Sequence, residues 1–221
     1  MTSIDQYYNG DKTKLTLPYD FNEKIKVGQL YNSLTHLAFG NYYNQEIKKN
    51  ILPNSLTHLT FENSYYAQEI KENVLPNSLT HLTFGYYYNK EIKERVLPNS
   101  LTHLTFGEEY NKEIKENVLP NSLTHLTFGE YYNKEIKENV LPNSLTTLQL
   151  YGSKENKLTI NNLPNCNIKT IIFTDLLIPI NNLPVSIEII KLNYYYNNKL
   201  KLLEKLPYGC IVIDENNKKL I

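Results

Sequence analysis

Apolar residues along this chain fall in a fixed cycle. Between Leu119 and Val140 the sequence reads LPNSLTHLTFGEYYNKEIKENV. From His125 to Phe128 polar and apolar residues alternate, which predicts a short β-strand with Leu and Phe inward and His and Thr outward. The Pro of the Leu-Pro pair has no N–H for a ladder, so it fits just before a strand. Gly after Phe marks the turn out of it. The Tyr-Asn-Lys-Glu-Ile stretch then returns along the other side as a short 3₁₀ or irregular segment.

The cycle repeats along the chain. NSLTHL starts at Asn32, Asn54, Asn77, Asn99 and Asn121, and NSLTTL at Asn143, in steps of 22, 23, 22, 22 and 22 residues. Upstream, Leu15, Leu17, Phe21, Asn22 and Ile25 keep the same phase. Downstream, LPNCNIKTIIF from Leu163 carries one inserted residue. LPVSIEIIKL from Leu183 restores the phase, with Tyr196, Asn197 and Leu200 in the expected places, and a partial copy starts at Leu206 and Pro207. One such unit cannot bury its apolar face alone, but stacked units share a continuous core. The expected fold is a repeat solenoid, leucine-rich-repeat-like. It has about ten turns of about 22 residues, short parallel β-strands on one face and 3₁₀ or irregular return segments. Strand spacing of about 4.8 Å makes it a rod or shallow arc roughly 45 Å long. Residues 1–221 read as a single solenoid: a partial N-terminal turn over 1–29, regular repeats over 30–162, and irregular repeats over 163–221.

Composition narrows the picture. The 23 basic and 23 acidic residues cancel, so no net charge draws the chain to nucleic acid or a membrane surface. No apolar stretch approaches the roughly 18 residues of a spanning helix, and no signal peptide is read at the start. Two cysteines, Cys166 and Cys210, make no disulfide framework. At two repeats apart they lie roughly 10 Å from each other, too far to bridge. An intracellular, cytoplasmic protein is expected.

The L-x-x-L-x-F pattern resembles leucine-rich repeats. More closely, the unit resembles the FNIP repeat, named for Phe-Asn-Ile-Pro. That core appears as Phe21-Asn22-x-x-Ile25, then as Tyr43-Asn44-x-x-Ile47 and Tyr132-Asn133-x-x-Ile136, the latter two running on to Leu52-Pro53 and Leu141-Pro142. The likeness covers residues from about 12 to 213. It departs in using Tyr where the family often has Phe, at Ala67 where the Asn is lost, and in the irregular last turns. The family is known from social amoebae and giant DNA viruses of amoebae. The resemblance implies a protein-interaction repeat, often fused to an F-box that recruits a ubiquitin ligase. Only about a dozen residues precede the first repeat, so ligase recruitment is not expected here.

Five histidines share one repeat position: His36, His58, His81, His103 and His125. They should form an outward ladder, beside a second one of Thr60, Thr83, Thr105 and Thr127 with Ala38 at its start. Duplication of a neutral surface residue and a ligand-binding face are both consistent with this. A zinc site is disfavoured, because a linear row gives no tetrahedral closure. The column Phe21, Tyr43, Tyr66, Tyr88, Tyr110, Tyr132 and Tyr196 is read as core, each hydroxyl reaching a backbone group or water. Tyr42, Tyr65, Tyr87 and Tyr131, interrupted by Glu109, read as an exposed edge suited to an interface. Asn22, Asn44, Asn89, Asn111 and Asn133 are read as structural, and the KEIKEN runs as a solvated face.

Ser55 and His58 recur as five copied pairs, whereas catalysis needs one singular arrangement with an orienting third group. No catalytic set, metal site or cofactor is expected. The expected function is a scaffold that presents the His/Thr face and the Tyr-bearing edge to a protein partner. The alternative is a self-assembling structural protein, such as a virion component or a homodimer.

Overall fold

The computed structural model describes residues 4–61, 65–151, 163, 166–193 and 199–221. Tyr196 and Asn197 lie outside these residues. The strands are β1 (Lys14–Thr16), β2 (His36–Phe39), β3 (His58–Phe61), β4 (His81–Thr83), β5 (His103–Thr105), β6 (His125–Thr127), β7 (Thr147–Tyr151), β8 (Thr170–Thr174), β9 (Ile189–Asn193) and β10 (Ile211–Asp214). All join one sheet in chain order, and every named neighbour pairs in parallel. About eight coils are complete, slightly fewer than the turns implied by the sequence, because the end strands close no full coil of their own.

Register repeats the sequence phase. Leu37, Leu59, Leu82, Leu104 and Leu126 face each other across the ladder and are 1–2% exposed. Burying each such side chain stabilises the fold by about 1.5–3 kcal/mol. Behind them stands an aromatic spine: Phe39, Phe61, Phe84, Phe106 and Phe128 each stack on the Tyr of their own turn at 3.8–4.2 Å. Glycine after Phe is required by close approach of the coils. A Cβ on Gly107 would lie 2.0 Å from the Gly85 carbonyl oxygen.

The polar columns staple the turns together. Ser55, Ser78, Ser100, Ser122 and Ser144 donate to a backbone carbonyl one turn back at 2.6–2.7 Å. Asn22, Asn44, Asn89 and Asn111 accept the backbone N–H one turn on at 2.9–3.0 Å. The amide column is therefore structural, and at Ala67 the backbone N–H still donates to Asn44 Oδ1.

Return segments are irregular, and the KEIKEN stretch is more than a solvated face. Glu46–Lys71, Glu69–Lys93, Glu91–Lys115 and Glu113–Lys137 pair between turns at 2.6–2.7 Å. These exposed pairs are each worth little. At its end Asn50, Asn73, Asn117 and Asn139 adopt φ of 62–66°, with Arg95 at 63°. Asn tolerates this left-handed conformation better than other L-residues.

Two expectations change. The Tyr110 hydroxyl reaches no backbone group: it is buried without a protein hydrogen-bond partner among the described residues. Leu200, expected in phase with the buried Ile25, Ile47, Ile70, Ile92, Ile114 and Ile136, is only partly buried. Its neighbour Lys199 is 5% exposed instead, with Nζ on the Asp175 carboxylate. The cause lies upstream, where β9 follows β8 after 19 residues, from Thr170 to Ile189. Ile180 of that shortened coil bridges Leu203 of the next one in parallel.

Both outer edges of the sheet are covered. Tyr8 bridges Leu15 of β1 antiparallel, and Lys219 bridges Ile213 of β10. Val212 N–H donates to the Ile221 carbonyl, and Leu220 N–H to that of Val212.

Candidate functional site

The sheet's outward face is built from two aligned columns. The first runs Lys14, His36, His58, His81, His103, His125, Thr147, Thr170. The second runs Thr16, Ala38, Thr60, Thr83, Thr105, Thr127, Gln149. The structure therefore brings the five histidines and four threonines onto one face, side by side. The imidazoles stack at 4.1–4.2 Å between centroids, with ring planes 10–12° apart. This is closer than the usual strand spacing of about 4.8 Å.

A further column holds the rings. Thr35, Thr57, Thr80, Thr102 and Thr124 each place Oγ1 2.8–2.9 Å from Nδ1 of the next residue's imidazole. The same Oγ1 donates to the carbonyl one turn back at 3.0–3.1 Å. That carbonyl also gathers two backbone N–H groups, as Thr35 O does from Thr57 and His58. The hydroxyl has one proton. Turning it toward Nδ1 would set two lone-pair oxygens against each other at hydrogen-bond distance. Both contacts are satisfied when Oγ1 donates to the carbonyl and Nδ1–H donates to Oγ1. Nε2 is then the free acceptor.

Electrostatics agree with neutral rings. Burial comes first in lowering the His58, His81 and His103 pKa values, and neighbouring imidazolium charge comes second; His81 falls to about 4. Desolvation exceeds like-charge repulsion here.

The edge tyrosines Tyr42, Tyr65, Tyr87 and Tyr131 are 41–46% exposed. Tyr42–Tyr65 and Tyr65–Tyr87 stack at 5.5 and 4.6 Å, and Tyr19 extends the row. Tyr131 stands apart beyond Glu109. Between face and edge, a groove of about 300 Å³ is lined by Thr60, Thr83, Thr105, Tyr86 and Glu108. Glu108 accepts from Tyr151 Oη and from the Glu130 backbone N–H.

One feature of this face was missed in the sequence. Ile189 and Ile211 continue the histidine column, and Ile172 and Ile213 the threonine column, all partly exposed. The signal was the loss of alternation in TIIF, IEIIKL and IVI. Among the described residues no group of three or more His, Cys, Asp or Glu is placed to hold a metal, and Cys166 and Cys210 are free thiols. No helix there is long and apolar enough to cross a membrane.

The FNIP Repeat profile matches residues 21–64, 43–87, 88–131 and 132–175. The chain belongs to the FNIP repeat family. Each match spans about two turns, so the FNIP unit here is a pair of neighbouring coils. The crystal structure of CroV588, from the giant virus CroV and described as a novel circular LRR protein, is similar at 46% identity and a TM-score of 0.71. The match covers 91% of this FNIP chain, which spans 30% of the length of that protein. No curated protein matches the chain.

Proposed function

We propose that this FNIP solenoid is a non-catalytic scaffold that docks an intracellular protein partner on its sheet face and tyrosine edge. The supporting observation is the row of five stacked imidazoles, held in one orientation from behind, whose Nε2 atoms bond to nothing else among the described residues. Rigid, repeated side chains on a solenoid face lose little freedom on binding. The Tyr edge adds exposed aromatic area of the kind enriched in interfaces.

Photo-crosslinking tests this reading. A benzophenone side chain is placed at Thr83 on the face, at Tyr87 on the edge and at Lys93 on the return side. Host lysate should give partner adducts at the first two in clear excess over Lys93. Equal yields, or adducts chiefly at Lys93, would overturn it.

Self-assembly is the second reading. Growth through the sheet ends has against it the two antiparallel segments that cover β1 and β10, since unpaired edges are what invite strand addition. Closure into a ring through those edges would have to displace both. A monomer by light scattering supports the scaffold, and a concentration-dependent dimer supports assembly.

A further inference from the structure

The partner's chemistry follows from which protons the face lacks. Each Thr hydroxyl behind the ladder gives its proton to a carbonyl and takes one from Nδ1–H, so each imidazole turns a lone pair outward at Nε2. The five rings stand 4.1–4.2 Å apart between centroids. Neutral imidazoles of this tautomer have no outward N–H to offer. Beside them lies a rim of carboxylates. Glu108 and Glu130 are joined by the 2.6 Å bond from Glu130 N–H to Glu108 Oε2, and Glu109 adjoins them in sequence. Tyr86 reports their closeness: burial first, then the charges of Tyr131, Glu109, Glu108 and Glu130, raise its hydroxyl pKa.

These carboxylates differ from those on the return side. Glu46, Glu69, Glu91 and Glu113 each hold a lysine. Among the described residues Glu108, Glu109 and Glu130 hold no cation within ion-pair distance. Through the five histidine turns, neither outward column carries Lys or Arg; Lys14 precedes them and Lys191 follows.

We infer that the sheet face receives a basic polypeptide segment, whose lysine and arginine N–H groups donate to the histidine Nε2 row and to the Glu108–Glu130 rim. This rests on the scaffold reading and adds the chemistry of the partner. Donors meet acceptors at every rung, and charge complementarity favours basic segments over acidic ones.

The test uses the full chain and three labelled decapeptides, alternating Lys-Ser, Gln-Ser and Glu-Ser, followed by fluorescence anisotropy near neutral pH. Lys-Ser should bind most tightly. The double variant His81→Thr/His103→Thr should weaken it by about tenfold or more. Threonine already fills this column at Thr147 and Thr170, so the variant keeps a residue the ladder accepts. Glu108→Gln/Glu130→Gln should weaken it comparably, while Lys93→Ala on the return side should leave it unchanged. Imidazole ¹⁵N spectra should show protonated Nδ1 and bare Nε2. Stronger binding of Gln-Ser or Glu-Ser, equal Lys-Ser binding by the histidine variant, or protonated Nε2 would overturn the inference. A non-basic partner crosslinked at Thr83 would sink this inference and leave the scaffold standing; crosslinks confined to Lys93 would sink the scaffold.

Discussion

Acid should weaken this fold through the middle of its histidine ladder. The perturbation is His81→Thr, at the rung where burial and then the charges of His103, His58, His125 and His36 lower the folded pKa to about 4. In the unfolded chain the same imidazole titrates near 6.5. The unfolded state therefore binds the proton first. Above the unfolded value neither state is charged and the penalty is absent; it grows as pH falls from about 6.5 to about 4 and is constant below. The full shift corresponds to about 3 kcal/mol at 1.36 kcal/mol per pH unit. The face is partly solvated, so screening reduces this to about 1–2 kcal/mol. The assay is urea unfolding of the native and variant chains across pH 7.5 to 4. The native chain should lose about 1–2 kcal/mol more than the variant across that window. Between about pH 6.5 and 4.5 the ladder acts before the Glu–Lys pairs, because Lys71, Lys93, Lys115 and Lys137 lower the pKa of their glutamates. Parallel pH profiles for the two chains would refute the reasoning.

Three substitutions test the interior and the turns. Asn111→Ala removes the acceptor for the Asn133 N–H and should cost on the order of 1–3 kcal/mol; an unchanged melting curve would mean that this bond contributes nothing. Tyr110→Phe removes a buried hydroxyl with no protein partner among the described residues and should be neutral or mildly stabilising; a loss above about 1 kcal/mol in urea unfolding would reveal a hidden bond. Arg95→Asn restores a left-handed-tolerant residue at φ 63° and should raise stability by up to about 1 kcal/mol; calorimetry showing a lower melting temperature would count against strain at this position.

The solenoid, its strand phase and its outward columns were legible because a two-residue alternation was copied with few errors. His58 and Thr60 need no structure to be placed opposite Leu59 and Phe61. Other features left weaker marks. Thr57 reads in sequence as one more polar neighbour, and only the turn-to-turn approach shows that its hydroxyl orients His58. Asn73 reads as the end of a charged run, because a backbone angle leaves no hydrophobic signature. The pairing of Lys199 with Asp175 depends on the shortened coil before β9, a change of length that composition does not record. The binding role proposed for the histidine, threonine and tyrosine columns is a matter of chemistry with a second molecule, and the periodicity of one chain carries no trace of it.

Near-identity of neighbouring turns also leaves the unfolded chain with a choice. Leu82, Leu104 and Leu126 offer almost the same ladder to any partner strand. If β4 joins β6 directly, the skipped coil is extruded as a loop, at an entropic cost that rises only slowly with length. Local contacts in such a slipped stack are nearly as good as native ones, so local energetics discriminate poorly. The marks that break the degeneracy are the odd coils: Ala67 without its amide, and the 19-residue step into β9. They act as landmarks by which a monotonous chain counts its own turns.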